Sequence, residues 1–219
     1  MSACCSSFAC AADAQFGAAR AQADLARYRN TGPDATTRAL RDALRNLIRP
    51  DTSLLDVGAG IGALTHELLA RTQASATVVE ASSAYLRAAR QEVERRGLAG
   101  RVTFTEGDFV AVAPRVPTAD IVAMDRVVCC YPTVQPLLEA ALARARRLFA
   151  YSYPRDRWYV RAVIAVENVV RRLRRNPFRT FVHPPAAMLA LVAREGFRLR
   201  TRQRTVAWAI EVWERATTT

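Results

Sequence analysis

The densest chemistry in the chain lies in one stretch, Leu54-Leu55-Asp56-Val57-Gly58-Ala59-Gly60-Ile61-Gly62-Ala63. It reads as a short buried strand over 53–57, a tight loop from Gly58 to Gly62, and a helix over 63–71 with Leu64, Leu68 and Leu69 inward. Glycines at such a turn let the backbone bend sharply and let a ligand approach it closely. The spacing, with Ala63 in the last slot, also fits a dinucleotide fingerprint, so the loop alone does not choose its ligand.

Asp56 makes the choice. It ends the strand two residues before the first glycine, where it would face a pyrophosphate and repel it. At an effective dielectric of about 20, two unit charges 4 Å apart cost about 4 kcal/mol. S-adenosylmethionine (SAM) has no phosphate and carries an ammonium and a sulfonium, so an acid beside it is favourable. The open N–H groups of the following helix suit its carboxylate. Two further acids follow the next two strands. Glu80, with Ala81 beside it, ends a strand over 76–80, in the position that receives ribose hydroxyls in sheets of this kind. Asp108, in Glu106-Gly107-Asp108-Phe109, follows a strand over 101–105. There it can accept from the adenine amine, with Phe109 against the base.

These residues resemble a family. Leu55 to Gly62, Val79-Glu80 and Gly107-Asp108-Phe109 look like the first three motifs of class I SAM-dependent methyltransferases, a resemblance covering about residues 35 to 215. It implies an α/β three-layer sandwich whose seven-stranded, mostly parallel sheet has the order 3-2-1-4-5-7-6. It also implies that Asp125 and Arg126, after the fourth strand, line the cofactor's methionine end. A narrower resemblance joins Cys129-Cys130-Tyr131-Pro132, Ser152-Tyr153-Pro154 and Phe181-Val182-His183 to the magnesium-protoporphyrin O-methyltransferases. That branch generally has a His before the Tyr-Pro pair, where this chain has Cys130.

On the acceptor side, alignment of nucleophile, methyl and sulfur does most of the work, and exclusion of water the rest. His183 and Tyr131 are the candidate catalytic residues, each placed to orient an acceptor or take its proton. The stretch from Asp125 to Pro132 lacks the (Asp/Asn)-Pro-Pro-aromatic pattern of nucleobase amine methylation. Cys129 and Cys130 lack the Pro-Cys context of RNA cytosine-C5 methylation and read as small apolar packing near the cleft. His66 begins no HExxH, since residue 70 is Ala. No complete metal-ligand set is readable among Cys4, Cys5, Cys10, Cys129 and Cys130, and their odd number argues against a disulfide framework.

The elements that must position these groups alternate. Beyond the strands named, 119–124 and 148–153 read as strands, and 82–96 and 132–147 as helices, with Ser82 an N-cap and Gly97 a stop. Strand-helix alternation predicts a parallel sheet covered on both faces. Ahead of it, 11–29 reads as a helix. After a break at Gly32-Pro33-Asp34 comes a second helix with Leu40, Leu44, Leu47 and Ile48 on one face. Residues 1–34 are therefore an N-terminal helical extension, with Tyr28 and the first helix a candidate lid over the cofactor, and 35–219 the catalytic domain.

A helical insertion occupies about 156–195: a basic amphipathic helix over 156–175 with Val160, Val163, Ile164 and Val170 on its apolar face, then a helix over 184–194. Strands over 197–204 and 206–214 close the sheet as an antiparallel hairpin, with Val206, Trp208, Ile210 and Val212 on one face. Arg198, Arg200, Arg202 and Arg204 alternate along one face of the first, which protects an edge strand.

Composition bounds the reading. The chain has 219 residues, enough for one domain, and its net charge is +12, carried by 32 basic residues that are all arginine. Without lysine there is no P-loop lysine and no Schiff base. No apolar run reaches membrane-spanning length, and no basic n-region precedes an apolar core, so the expected compartment is cytoplasmic. The expected partner is a small or amphipathic acceptor, anionic character being one option. Nucleic acid is disfavoured, and peripheral contact with a membrane surface is kept open through the arginines that end the 156–175 helix.

Overall fold

The computed structural model describes residues 7–216; Cys4 and Cys5 lie outside the described residues. Three helices lead in: α1 (Ser7–Gln15), α2 (Ala18–Thr31) and α3 (Ala35–Leu44). The alternating body follows: β1 (Ser53–Val57), α4 (Ala63–Leu69), β2 (Ser75–Glu80), α5 (Ser83–Arg95), β3 (Val102–Glu106), α6 (Phe109–Val112), β4 (Ala119–Met124), α7 (Val134–Arg144) and β5 (Ala145–Pro154). Then come α8 (Trp158–Leu173), α9 (Pro185–Arg194), β6 (Phe197–Arg204) and β7 (Trp208–Arg215). The strands form a single sheet of order β3-β2-β1-β4-β5-β7-β6, in which only the β5–β7 and β7–β6 pairings are antiparallel.

The central strands are buried on both faces, while the edge strand β6 is mostly exposed, and residue parity divides the core. Leu54, Val78, Ile121, Leu148, Ile210 and Val212 pack with Leu40, Leu64, Leu68 and Leu86 under α3, α4 and α5. Leu55, Val79, Val122, Phe149 and Trp213 pack with Leu137, Met188 and Val192 under α7 and α9. Two faces of apolar residues explain why these strands read as nearly continuous hydrophobic runs.

Three details correct the sequence reading. The predicted helix over 11–29 is two helices, because the chain turns at Gly17 and α2 starts afresh from an extended N-cap. Val206 is not in the last strand; it sits in the β6–β7 turn and is exposed, while Trp208, Ile210 and Val212 do share a face. The register of β6 shifts between Leu199 and Thr201, a bulge at Arg200 that breaks the single arginine face. Arg200 then reaches Glu214 at 2.6 Å and Arg202 reaches buried Glu211 at 2.7 Å. Ser82 caps α5 through its hydroxyl, as expected.

Candidate active site

The loop after β1 is a left-handed turn by necessity. Gly58 and Gly60 have φ of +60° and +58°, conformations that L side chains rarely adopt. At Gly58 there is no room either: a Cβ would lie 2.6 Å from a Val127 methyl. The loop's own N–H groups are mostly spent within the protein. Those of Gly58 and Ala59 donate to the Val79 carbonyl, and that of Gly62 donates to Ala59. That of Gly60 donates to Glu80 Oε2 at 2.8 Å. A phosphate cradle needs such donors free, so the geometry adds to the acids in disfavouring pyrophosphate.

Glu80 is the keystone of the turn. Its second oxygen accepts the Ser82 N–H at 2.8 Å, so one carboxylate ties the β1 loop to the start of α5. Burial raises its pKa, and these N–H donors oppose the rise. Asp56 is buried and accepts from the Thr65 hydroxyl at 2.7 Å. Desolvation, reinforced by Asp125 and Glu80, pushes its carboxyl up to about 7. A cation bound beside it would favour the ionised form.

Beyond β4 the chain makes a second strained turn. Arg126 has φ +61° without being glycine, which costs about 1–2 kcal/mol and is held by its surroundings. The Ser152 hydroxyl accepts the Arg126 N–H at 2.8 Å and donates to Asp125 at 2.7 Å. The Thr37 hydroxyl donates to the other Asp125 oxygen at 2.6 Å, and the Arg126 guanidinium pairs with Asp34 at 2.6 Å. Burial pushes Asp34 up, but Arg126 and the donors of Thr36 and Thr37 outweigh it and hold it below the usual carboxylate range.

These groups meet in one cavity of about 330 Å³, a size suited to a small ligand. Asp56, Gly58, Ala59, Gly60, Glu80, Ala81, Phe109, Asp125, Arg126 and Tyr131 line it. Gly62, Asp108 and His183 do not. Gly62 is the N-cap of α4, backed by the buried His66 ring. Asp108 caps α6 and accepts the Tyr131 hydroxyl at 2.6 Å. His183 Nε2 lies 2.9 Å from the Tyr131 carbonyl. Tyr131 is thus held at both ends; burial and the Asp108 bond raise its pKa far above the ordinary phenol value.

Much of the remaining wall comes from the N-terminal segment: Phe8, Arg20, Asp24 and Tyr28 on α1 and α2, and Phe16 in the turn between them. Several ties hold this segment down. The Tyr28 hydroxyl donates to Glu67 at 2.8 Å, Arg29 meets buried Glu92 at 2.8 Å, the Tyr85 hydroxyl bonds Asp24, and the Ser82 hydroxyl donates to the Phe16 carbonyl at 2.7 Å. Of these wall residues, sequence reasoning named only Tyr28. Tyr85 on α5 and Val127 were also missed, since nothing local marks a helix residue as facing the loop. Cys129 is buried and Cys130 lines the cavity, both with sulfur near the Arg126 carbonyl.

The chain matches the family model "Methyltransferase domain" over residues 54–151. It is similar to the ribosomal RNA small subunit methyltransferase A of Prochlorococcus marinus (strain MIT 9303), 32% identical over 149 residues, or 67% of this chain. The chain spans about half the length of the curated relatives it matches, 49% in this case. Among solved structures it is similar to magnesium protoporphyrin IX methyltransferase (ChlM) from Synechocystis PCC 6803. With bound SAH the TM-score is 0.70 at 18% identity, covering 89% of this chain and 95% of that one. With bound SAM the TM-score is 0.69 at 16% identity, covering 99% and 100%. Glycine turn, carboxylate rim, strand order and family match agree. Residues 54–151 match a methyltransferase domain, and the chain has the fold of methyltransferases solved with SAM and SAH bound.

Proposed function

We propose that the chain transfers a methyl group from SAM to a small or amphipathic acceptor. The observation that carries this reading is the gathering of Asp56, Glu80 and Asp125 around a turn whose glycine N–H groups donate within the protein. Bound SAM supplies a methyl already activated by its sulfonium charge. Asp56, Glu80 and Asp125 surround that ligand with negative potential, and Phe109 and Tyr85 provide apolar walls. The N-terminal helices act as the lid that keeps water from the reacting centre. Tyr131 faces the acceptor, and His183 is a positioning residue that holds the Tyr131 backbone.

Calorimetric titration with S-adenosylhomocysteine tests this. Micromolar binding is expected, with loss in Gly60→Val, whose side chain would be strained at φ +58° and crowd Tyr85. Uptake of NADH in place of the homocysteine would sink the reading. Removal of residues 1–30 should weaken binding; unchanged affinity would refute the lid. A labelled-methyl acceptor screen then identifies the recipient, starting with a porphyrin carboxylate, which the likeness to ChlM favours.

RNA methylation is the second reading, supported by the curated relatives at 32% identity. It expects salt-dependent RNA binding and methyl incorporation into RNA. Incorporation into small molecules alone would exclude it.

A further inference from the structure

Helix α8 is amphipathic the wrong way round. Its inward side is held by polar groups. Asn168 Nδ2 donates to the Thr180 carbonyl at 2.8 Å, Thr180 N donates back to Asn168 Oδ1 at 3.0 Å, and Arg171 reaches the Thr180 hydroxyl at 3.1 Å. Val160 is the only residue of the helix that is buried. Its outward side carries Trp158 (80% exposed), Val163, Val166 (64%), Val169, Val170 and Leu173 (78%). At about 100° per residue these fall within an arc of about 140° that contains no charged side chain. Val206, 77% exposed, extends the patch: the Tyr159 hydroxyl donates to its carbonyl at 2.8 Å. The sequence reading grouped Val163 and Val170 with Val160 on one apolar face; both are exposed.

Charge frames the stripe. Arg157 precedes it, Arg172 lies at its margin, and Arg174 and Arg175 follow it. Arg157 adds to the field at Asp156, and Arg172, Arg174 and Arg175 form no ion pair with a carboxylate among the described residues. The acids of this segment are already taken, Asp156 by Arg161 and Glu167 by Arg171. No helix among the described residues is long and apolar enough to cross a membrane. A helix of 16 residues, about 24 Å long, with an apolar face and a cationic margin is suited to lie flat at a lipid-water interface.

We propose that α8 and the β6–β7 turn dock this protein on an anionic lipid bilayer, with the stripe in the acyl boundary and the arginines among the headgroups. RNA would satisfy the arginines but leave the valines and leucine with nothing to pack on. A second copy would cover the stripe but bring the same unpaired arginines into one interface. The inference does not depend on the acceptor, and its test needs no turnover.

The experiment is vesicle co-sedimentation of the full chain with phosphatidylserine/phosphatidylcholine liposomes, beside pure phosphatidylcholine. Binding to the anionic vesicles is expected, falling about five-fold per arginine removed, so about a hundred-fold in Arg172→Gln/Arg174→Gln/Arg175→Gln. Val166→Asp/Val169→Asp should abolish it with an unchanged unfolding midpoint, because both side chains are exposed. Brominated acyl chains should quench Trp158, and Trp158→Phe should remove that quenching. Absence of binding at millimolar lipid, or binding that survives Val166→Asp/Val169→Asp, overturns the proposal. So does a solution dimer that the same double substitution dissolves, since it would make a second copy the occupant.

Discussion

Helices α5 and α8 are built from similar residues and face opposite ways. α5 puts Tyr85, Leu86, Ala88, Ala89 and Val93 against the sheet and the glycine turn, with most of its arginines outward. α8 puts Asn168 and Arg171 inward and its valines outward. The comparison separates two facts that a hydrophobic pattern merges. Periodicity shows that a helix has two faces; only the partner decides which one is covered. For α5 the partner is the sheet, and for α8 it is outside the chain.

Substitution on α5 should be costly. Leu86→Ala removes a fully packed side chain and is expected to cost about 2–5 kcal/mol in urea unfolding. A cost below about 1 kcal/mol would mean that α5 is as loosely held as α8.

Glu92 on α5 should matter next most. Burial pushes its pKa up, but Arg95, Arg96 and Arg29 hold the carboxylate well below its usual range. Glu92→Gln should cost about 2 kcal/mol at pH 7, discounted for the partly exposed arginines. A depressed carboxylate stabilises above its unfolded pKa and loses that contribution on acidification. The gap between wild type and variant should therefore close as pH falls below about 4. A gap independent of pH would remove the ionic explanation.

Asp56, at the end of β1, has the opposite sign. Its folded pKa is raised to about 7, so the folded state holds a proton that the unfolded state has lost, and stability declines between about pH 4 and 7. SAM affinity should rise about ten-fold per pH unit toward 7 and then level off, and Asp56→Asn should flatten that rise. Affinity that does not change with pH would place the cation elsewhere.

The smallest effect belongs to α8. Val166→Ala should change stability by less than about 0.5 kcal/mol, since nothing packs on it and alanine is the better helix former. A large loss would show that the stripe is covered within the chain.

The same distinction explains what was legible in the sequence. Asp56, Glu80, Gly58 and Gly60 were readable because their roles are local: strand ends and a left-handed turn set them within a few residues. So were β1 and β4, whose apolar runs are bounded by Pro, Gly and Asp. Arg20, Asp24 and Tyr85 became site residues only through long-range packing of α2 on α5, which no local pattern records. Asp108 shows the converse. Its position was foreseen, yet its carboxylate is engaged by Tyr131, a partner 23 residues away. The bulge at Arg200 escaped because strict alternation on paper assumes an uninterrupted ladder.

The strand order carries a consequence for assembly. β6 touches the sheet only through β7, which inserts between it and β5. During synthesis β6 emerges before its native partner β7, so its arginines keep it solvated while it waits. The buried Glu211, gripped by Tyr153, Trp213 and Arg202, then locks the late-arriving strand in register. A ribosome stalled before Trp208 would hold a nascent chain with five strands paired and β5 exposed as an open edge, vulnerable to pairing with a neighbour until the last strand arrives.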